Sequence, residues 1–242
     1  MAAGGPPAPG GEPGRFEPDL LDGLPAELAM ARLPAGRHGL PREFVAHNQR
    51  LRLVAAMLRV LPERGYPALT IGHVTSEAAV SRAAFYQQFA GKEECFLTTY
   101  DLAGEWFCER VERTVAGEED WRDRIRLGAA EALRLLGANP LVAHLMAVEA
   151  PQAGRAARER QQAMLDRFAT VLRAGHPGRP ELQADLADLL LGGVVALIAR
   201  YVDGDRAERL PEATAVLVEY LLIPYIGGEE AKAVLASLPE AG

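Results

Sequence analysis

Leu51, Val54, Ala55, Leu58 and Leu61 recur at i, i+3, i+4, i+7 and i+10, which is one apolar face of a helix. Arg50, Arg52, Arg59 and Arg64 fall mostly off that face. Pro62 brings no amide N–H, so the last turn is expected to kink or stop early, with Gly65 closing it as a C-cap. After a short link, Tyr66–Leu69, the hydroxyl of Thr70 is placed to cap a second helix, whose inner side is Ile71, Val74 and Ala78. Ser81 caps a third, which ends near Phe89. Phe85 and Phe89 are four apart and share a face, which Val80 joins against the first two helices. The opposite side then carries Arg82, Ala83, Tyr86 and Gln87.

Beyond Gly91 the helical period continues, interrupted by Gly and Pro. The expected helices are 92–115, 119–136, 140–149, 155–174, 180–202, 211–225 and 229–238, with stops at Gly137–Pro140, Gly175–Gly178 and Asp203–Asp205. Sustained alternation is absent, so the fold class is all-α, with no sheet. Residues 1–41 hold eight Gly and eight Pro, and such a segment cannot bury enough surface to offset its ordering entropy. It reads as a flexible N-terminal arm, with a weak helical turn around residues 24–31. Arg32, Arg37, His38 and Arg42 stand just before the first firm helix, so the segment is either an unstructured tail or an arm for a DNA minor groove.

Charge sharpens this division. The 242 residues sum to −7, which argues against general affinity for nucleic acid. Residues 42–92 nevertheless carry seven Lys/Arg against three acids, whereas residues 101–242 carry 16 basic and 23 acidic groups. The positive excess therefore coincides with the three short helices, where contacts to phosphate would need it. The two cysteines, Cys95 and Cys108, lie about 20 Å apart if they share one helix, so they cannot pair within the chain. This fits a reducing cytoplasm, and no apolar leader follows the first residue. The longest apolar run, Leu189 to Ala199, is eleven residues, against about twenty for a membrane span, so no membrane segment is expected.

The exposed side of the third helix offers a guanidinium, a phenol, an amide and small methyls. Arg82 can bond guanine bidentately, Gln87 can bond adenine, and Ala83 can meet a thymine methyl. Tyr86 suits a phosphate, which fixes register without reading sequence. Lys92 opens the fourth helix, where its ammonium and nearby free amides could both face a phosphate. Each residue also has a plainer role: Arg82 a solvated surface residue, Tyr86 a half-buried aromatic, Thr70 and Ser81 helix caps, Lys92-Glu93 ordinary helix-start chemistry.

The stretch 48–97 resembles the DNA-binding region of the TetR family of bacterial transcriptional regulators. The resemblance is carried by Gly65-Tyr66, Thr70-Ile71, Val74, Ala78, Val80-Ser81-Arg82, Phe85-Tyr86, Phe89, Lys92-Glu93 and Phe96. It implies an N-terminal three-helix helix-turn-helix domain at 42–91 and a C-terminal helical effector-binding and dimerisation domain at 92–242. It also implies a homodimer on a palindromic double-stranded DNA operator, usually a repressor released by a small molecule, with DNA contacts from Thr70, Ser81, Arg82, Ala83, Tyr86, Gln87 and Lys92. Several positions depart from the family pattern. Ala79 stands where a turn glycine is usual, and a positive φ there would cost about 1 kcal/mol. Ala83 replaces a frequent glycine, Gly72 and His73 replace a polar pair and remove one expected phosphate contact, and Pro62 is foreign to the first helix.

In the C-terminal half, Leu186, Leu189, Leu190, Val194, Ile198 and Tyr201 lie on broad apolar faces of one helix, with Gly192-Gly193 admitting a close backbone. Ala215, Val216, Val218, Leu221 and Leu222 do the same on the next. Helices near 180–202 and 211–225 from two subunits would form a four-helix bundle; the alternative is that both belong to the monomer core. A cavity for an unidentified, mainly apolar effector is expected among the helices from 92 to 202, with Trp106, Phe107, Trp121, Leu141, His144, Leu145, Met146, Met164, Phe168 and Tyr201 as lining candidates. His144 could equally be a hydrogen-bonded interior histidine. No phosphate loop, His-Glu-x-x-His or Gly-x-Ser-x-Gly pattern occurs, so no cofactor, metal or catalysis is expected. The rival readings are a helical sensing or interaction protein without DNA binding, and a small-molecule enzyme using the cavity.

Overall fold

A computed structural model describes residues 42–175 and 183–236. The expected arm at 1–41, with Arg32, Arg37 and His38, the side chain of Arg42, and the outer ends of the 180–202 and 229–238 helices lie outside the described residues. The described residues are helical, with no strand among them. In chain order they form α1 (Arg42–Ala68), α2 (Ile71–Ala78), α3 (Arg82–Gln88), α4 (Lys92–Val115), α5 (Trp121–Ala138) and α6 (Pro140–His144). A π-helical turn at Leu145–Glu149 leads to α7 (Arg155–Arg173) and α8 (Gln183–Asp203). A 3-10 segment at Ala207–Ala213 then leads to α9 (Thr214–Ile226) and α10 (Gly228–Leu235). Among these, none is long and apolar enough to cross a membrane.

The anticipated amphipathic face of α1 is the centre of the N-terminal head: Leu51, Val54, Ala55, Leu58 and Leu61 are all buried. Val74 and Ala78 of α2 and Phe85 of α3 close over it, together with Phe89 just beyond α3. Pro62 does not break α1. The helix runs through it, and the interruption falls at Gly65, whose φ of 69° and ψ of 148° leave the helical region. Proline sterics act on the turn before it, but glycine alone takes a positive φ without penalty, so the chain turns there.

Both short helices are capped by the residues the spacing indicated. Thr70 Oγ1 accepts from the His73 amide, and the Thr70 amide donates to His73 Nδ1, a reciprocal capping box. Ser81 Oγ accepts from the Ala84 amide at 3.0 Å. Ala79 does sit in the left-handed region, at φ 51° and ψ 48°. The turn between α2 and α3 requires that conformation, and alanine fills it without glycine's freedom.

Beyond the head, α4 is the common support. Cys95, Phe96, Ala103, Trp106, Phe107 and Cys108 are buried along it. Both cysteines are free, and burial pushes the Cys95 thiol up to about 12 and the Cys108 thiol to about 11, so neither is a ready nucleophile. The expected 140–149 helix is in fact two pieces, α6 and the π turn, and the expected 211–225 helix begins as 3-10 structure. Its Pro211 packs on α5 at Gly137, where a Cβ would come within 2.9 Å of the proline ring. Replacing Ala79 by glycine removes the left-handed penalty and is expected to raise stability by about 1 kcal/mol, read as a higher urea midpoint at unchanged slope.

Candidate nucleic-acid interface and effector cavity

On the outer side of α3, Arg82, Ala83, Tyr86 and Gln87 are all exposed, Tyr86 to 59%. The cause is internal. Phe85 is fully buried and tilts against Phe89 at 5.6 Å, which turns the intervening residues outward. The Tyr86 ring meets Phe85 edge-on, also at 5.6 Å, so its base is propped while its hydroxyl faces solvent. Arg82 reaches back over α2, where a Cβ on Gly72 would lie 3.1 Å from its Nη2. Gly72 therefore leaves room for that guanidinium. Its neighbour His73 is occupied in the capping box, and these two local roles account for the departures at 72 and 73.

The cationic excess of the head is largely spent on the fold. Arg50 donates to the Gln88 carbonyl at 2.6 Å and stacks over Phe89 at 4.3 Å. Arg52 donates to the carbonyls of Ala78 and Ala79 at the end of α2, and Arg59 pairs with Glu77 at 2.7 Å. Lys92, expected to face a phosphate, is bonded within the protein. Its Nζ points inward and donates to the carbonyls of Tyr66 at 2.8 Å and Leu69 at 2.9 Å, and it lies 4.3 Å from the centroid of the Tyr66 ring. At the break the Leu69 amide is shared between the Gly65 and Tyr66 carbonyls, at 3.1 and 3.3 Å, and the start of α4 supplies a further donor to Tyr66 and Leu69. Burial holds the Lys92 ammonium below the usual lysine range. Arg82 and Arg64 remain exposed cations of the head.

The second feature is a cavity of about 150 Å³ walled by α4, α5, the π turn, α7, α8 and α9. Met146, Met164, Phe168 and Phe107 line it, joined by unanticipated aliphatic residues such as Val111, Leu133, Leu165 and Val194. Trp106, Trp121, Leu141, His144, Leu145 and Tyr201 do not line it. Adjacent helix positions point about 100° apart, so Phe107 and Met146 face the cavity while Trp106 and Leu145 pack elsewhere in the core. Trp121 donates Nε1 to the Val171 carbonyl at 2.7 Å and covers Gly175 and Tyr225 outside the cavity. Tyr201 lies under Arg206 at 5.3 Å. His144 Nε2 is 2.9 Å from Glu149 Oε1, the interior role. Polar groups at the wall are few: Arg167 is bound bidentately by Glu112, Gln161 donates to the Met146 carbonyl, and Arg124 keeps a buried Nε with no partner among the described residues.

A third feature is an apolar strip on α8 and α9. Leu189, Val216, Tyr220 and Ile223 are the exposed large apolar side chains there, at 72, 68, 41 and 44%. Leu190, Ile198, Val218, Leu221 and Leu222, expected at an intersubunit bundle, are instead buried in this chain. Gly193 receives the Tyr220 ring of the same chain, whereas Gly192 opens to solvent. Tyr220 Oη donates to the Leu189 carbonyl at 3.3 Å, which joins the two helices into one strip.

Comparison with known proteins agrees with this architecture. Residues 53–99 match the model of the family described as "Bacterial regulatory proteins, tetR family". The nucleoid occlusion factor SlmA of Vibrio vulnificus (strain YJ016) is 27% identical over 168 residues, 65% of this chain and 86% of that protein. Among solved structures, the fatty acid degradation regulator FadR from Bacillus halodurans overlays with a TM-score of 0.64 at 15% identity, over 72% of this chain and 94% of that one. FadR from Bacillus subtilis, in complex with stearoyl-CoA, gives 0.61 at 17% identity, over 71% and 96%. A transcriptional regulator from Rhodococcus sp. Rha1 gives 0.58 at 24% identity, over 72% and 95%. These overlays establish a shared fold. Changing Lys92 to Met takes the ammonium donor from the Leu69 carbonyl and leaves Tyr66 with the Leu69 amide alone, and is expected to lower stability by about 1–3 kcal/mol in urea unfolding, whereas a purely surface lysine would leave the midpoint where it is.

Proposed function

Because this chain belongs to the tetR family of bacterial regulatory proteins, as a helix-turn-helix transcription regulator, we propose that it acts in the cytoplasm as a homodimeric repressor. It binds a near-palindromic operator and is released by a small, mainly apolar effector. In this reading residues 42–91 form the DNA-reading domain and residues 92–242 the effector and dimerisation domain. The observation that carries it is the outward set Arg82, Ala83, Tyr86 and Gln87 on a helix braced from behind by Phe85 and Phe89. Arg82 and Gln87 carry base contacts, Ala83 permits close approach to the groove floor, and Tyr86 fixes a phosphate. Thr70 and Ser81, both exposed at helix N-termini, lie where a backbone phosphate would meet free amides. Lys92 acts behind this surface by holding the link that carries α2.

Two readers must face successive major grooves, about 34 Å apart, and a twofold dimer provides that spacing. The strip Leu189, Val216, Tyr220 and Ile223 is the surface that two copies would bury, with Gly192 giving the closest backbone approach. The cavity accepts an apolar body. Arg124, whose buried Nε has no partner among the described residues, favours a polar or anionic group at one end of the effector.

Selection of bound sites from a random DNA library supplies the operator. Arg82→Ala is then expected to cost about 1–3 kcal/mol in affinity and to relax preference at one base position. Tyr86→Ala should weaken all sites alike and leave the steepness of the salt dependence unchanged, because the phenol it removes is neutral and displaces no counterion. Unchanged gel-shift affinity in both would reject α3 as the reader. Val216→Glu places a charge in the strip and is expected to shift the protein from dimer to monomer in sedimentation, with operator binding lost in parallel.

A further inference from the structure

The π turn at Leu145–Glu149 has two sides with different neighbours. Met146 and Ala147 form part of the cavity wall. Glu149, three and two residues on, is 2% exposed and turns toward the head. Its Oε2 accepts the backbone amide of Tyr66 at 2.6 Å, and its Oε1 lies 2.9 Å from His144 Nε2. Tyr66 is the first residue of the link after the break at Gly65, and a Cβ on Gly65 would itself sit 4.0 Å from Glu149 Oε1. The other face of that link is gripped by Lys92 through the carbonyls of Tyr66 and Leu69, and the Tyr66 ring meets Phe96 edge-on at 4.8 Å. The segment that leads into α2 and α3 is thus held by α4 and by a carboxylate of the same short turn whose Met146 and Ala147 border the cavity.

The turn is also tied to the far wall. Gln161 of α7 donates to the Met146 carbonyl at 2.7 Å, and the π register is closed by the Ala150 amide on the Leu145 carbonyl at 3.0 Å. Wide π turns have close alternatives in ordinary α geometry, and they recur at functional sites. A shift of one backbone register there rotates Glu149 away from the Tyr66 amide, because residues on a helix change direction by about 100° per position.

We propose that Glu149 is the positioning residue that couples the cavity to the DNA reader: an occupant pressing on Met146 and Ala147 displaces the π turn, and Glu149 releases or re-aims the link at Tyr66. This rests on the effector-regulated reading above. Coupling between two sites is reciprocal, so operator DNA must alter affinity at the cavity by the same factor as occupancy alters affinity for DNA.

The probe is 1-anilinonaphthalene-8-sulfonate, an apolar fluorescent anion, titrated into full-length protein with and without the selected operator duplex. The expected wild-type result is a loss of probe affinity of about tenfold on the operator, within the usual range of such couplings. Glu149→Gln keeps the size of the side chain and one carbonyl acceptor, and is expected to reduce the factor to within twofold of unity while probe affinity of the DNA-free dimer is retained. Met146→Ala, on the cavity side of the turn, should reduce it as well. Hydrogen exchange at the Tyr66 amide supplies an independent readout: the probe should speed exchange in the wild type and not in Glu149→Gln. A tenfold factor that persists in folded Glu149→Gln, or exchange at Tyr66 indifferent to the probe, overturns the proposal. A wild-type protein that binds operator and probe with no coupling at all rejects effector control itself, and the proposal with it.

Discussion

Everything in the head depends on satisfying the backbone at one broken helix. At Gly65 the backbone of α1 kinks and then runs to the cap of α2 in five residues, and the polar groups around that kink are satisfied only in part by their neighbours, through the Leu69 amide. Two side chains from distant sequence answer the rest: Lys92 takes the carbonyls of Tyr66 and Leu69, and Glu149 takes the amide of Tyr66, while Phe96 packs on the Tyr66 ring. Buried polar backbone left unpaired costs more than a paired one returns, so the link has a narrow set of acceptable positions. The orientation of α3 follows from it.

The same constraint explains where the positive charge of an acidic chain goes. Arg50, Arg52 and Lys92 bond to carbonyls at helix ends, and Arg59 neutralises Glu77, so these cations act as internal fasteners. A carbonyl at a helix C-terminus carries partial negative charge and attracts a cation much as a phosphate does, at far shorter range. Counting lysines and arginines in a stretch of sequence does not separate the two uses. Only their placement does, and it leaves Arg82 and Arg64 facing outward.

The larger part of the chain divides its apolar surface three ways: a closed core around α4, a cavity between α4, α5, α7, α8 and α9, and a strip facing solvent on α8 and α9. One helix serves more than one of these. On α8, Leu190 is in the core, Val194 at the cavity and Leu189 in the open. A helix apolar around most of its circumference has no single hydrophobic face, so its period announces burial without saying against what.

The sequence alone determined the all-helical class, the order of the elements, the caps at Thr70 and Ser81, and the outward set Arg82, Ala83, Tyr86 and Gln87. Those features rest on local rules: a 3.6-residue period, side-chain caps one turn away, and aromatic residues four apart. The left-handed conformation of Ala79 was foreshadowed only by the resemblance, which places a turn glycine there. Tertiary structure decided the rest. Lys92 turned inward because the carbonyls of a kinked helix end lay 23 and 26 residues away, and His144 left the cavity because Glu149 was available to it. Trp106 and Leu145 lost the cavity to Phe107 and Met146 through a rotation of the helix that only packing sets. Glu149 itself gave no sign in the sequence: its partner is a backbone amide 83 residues away, and an amide has no residue type to recognise.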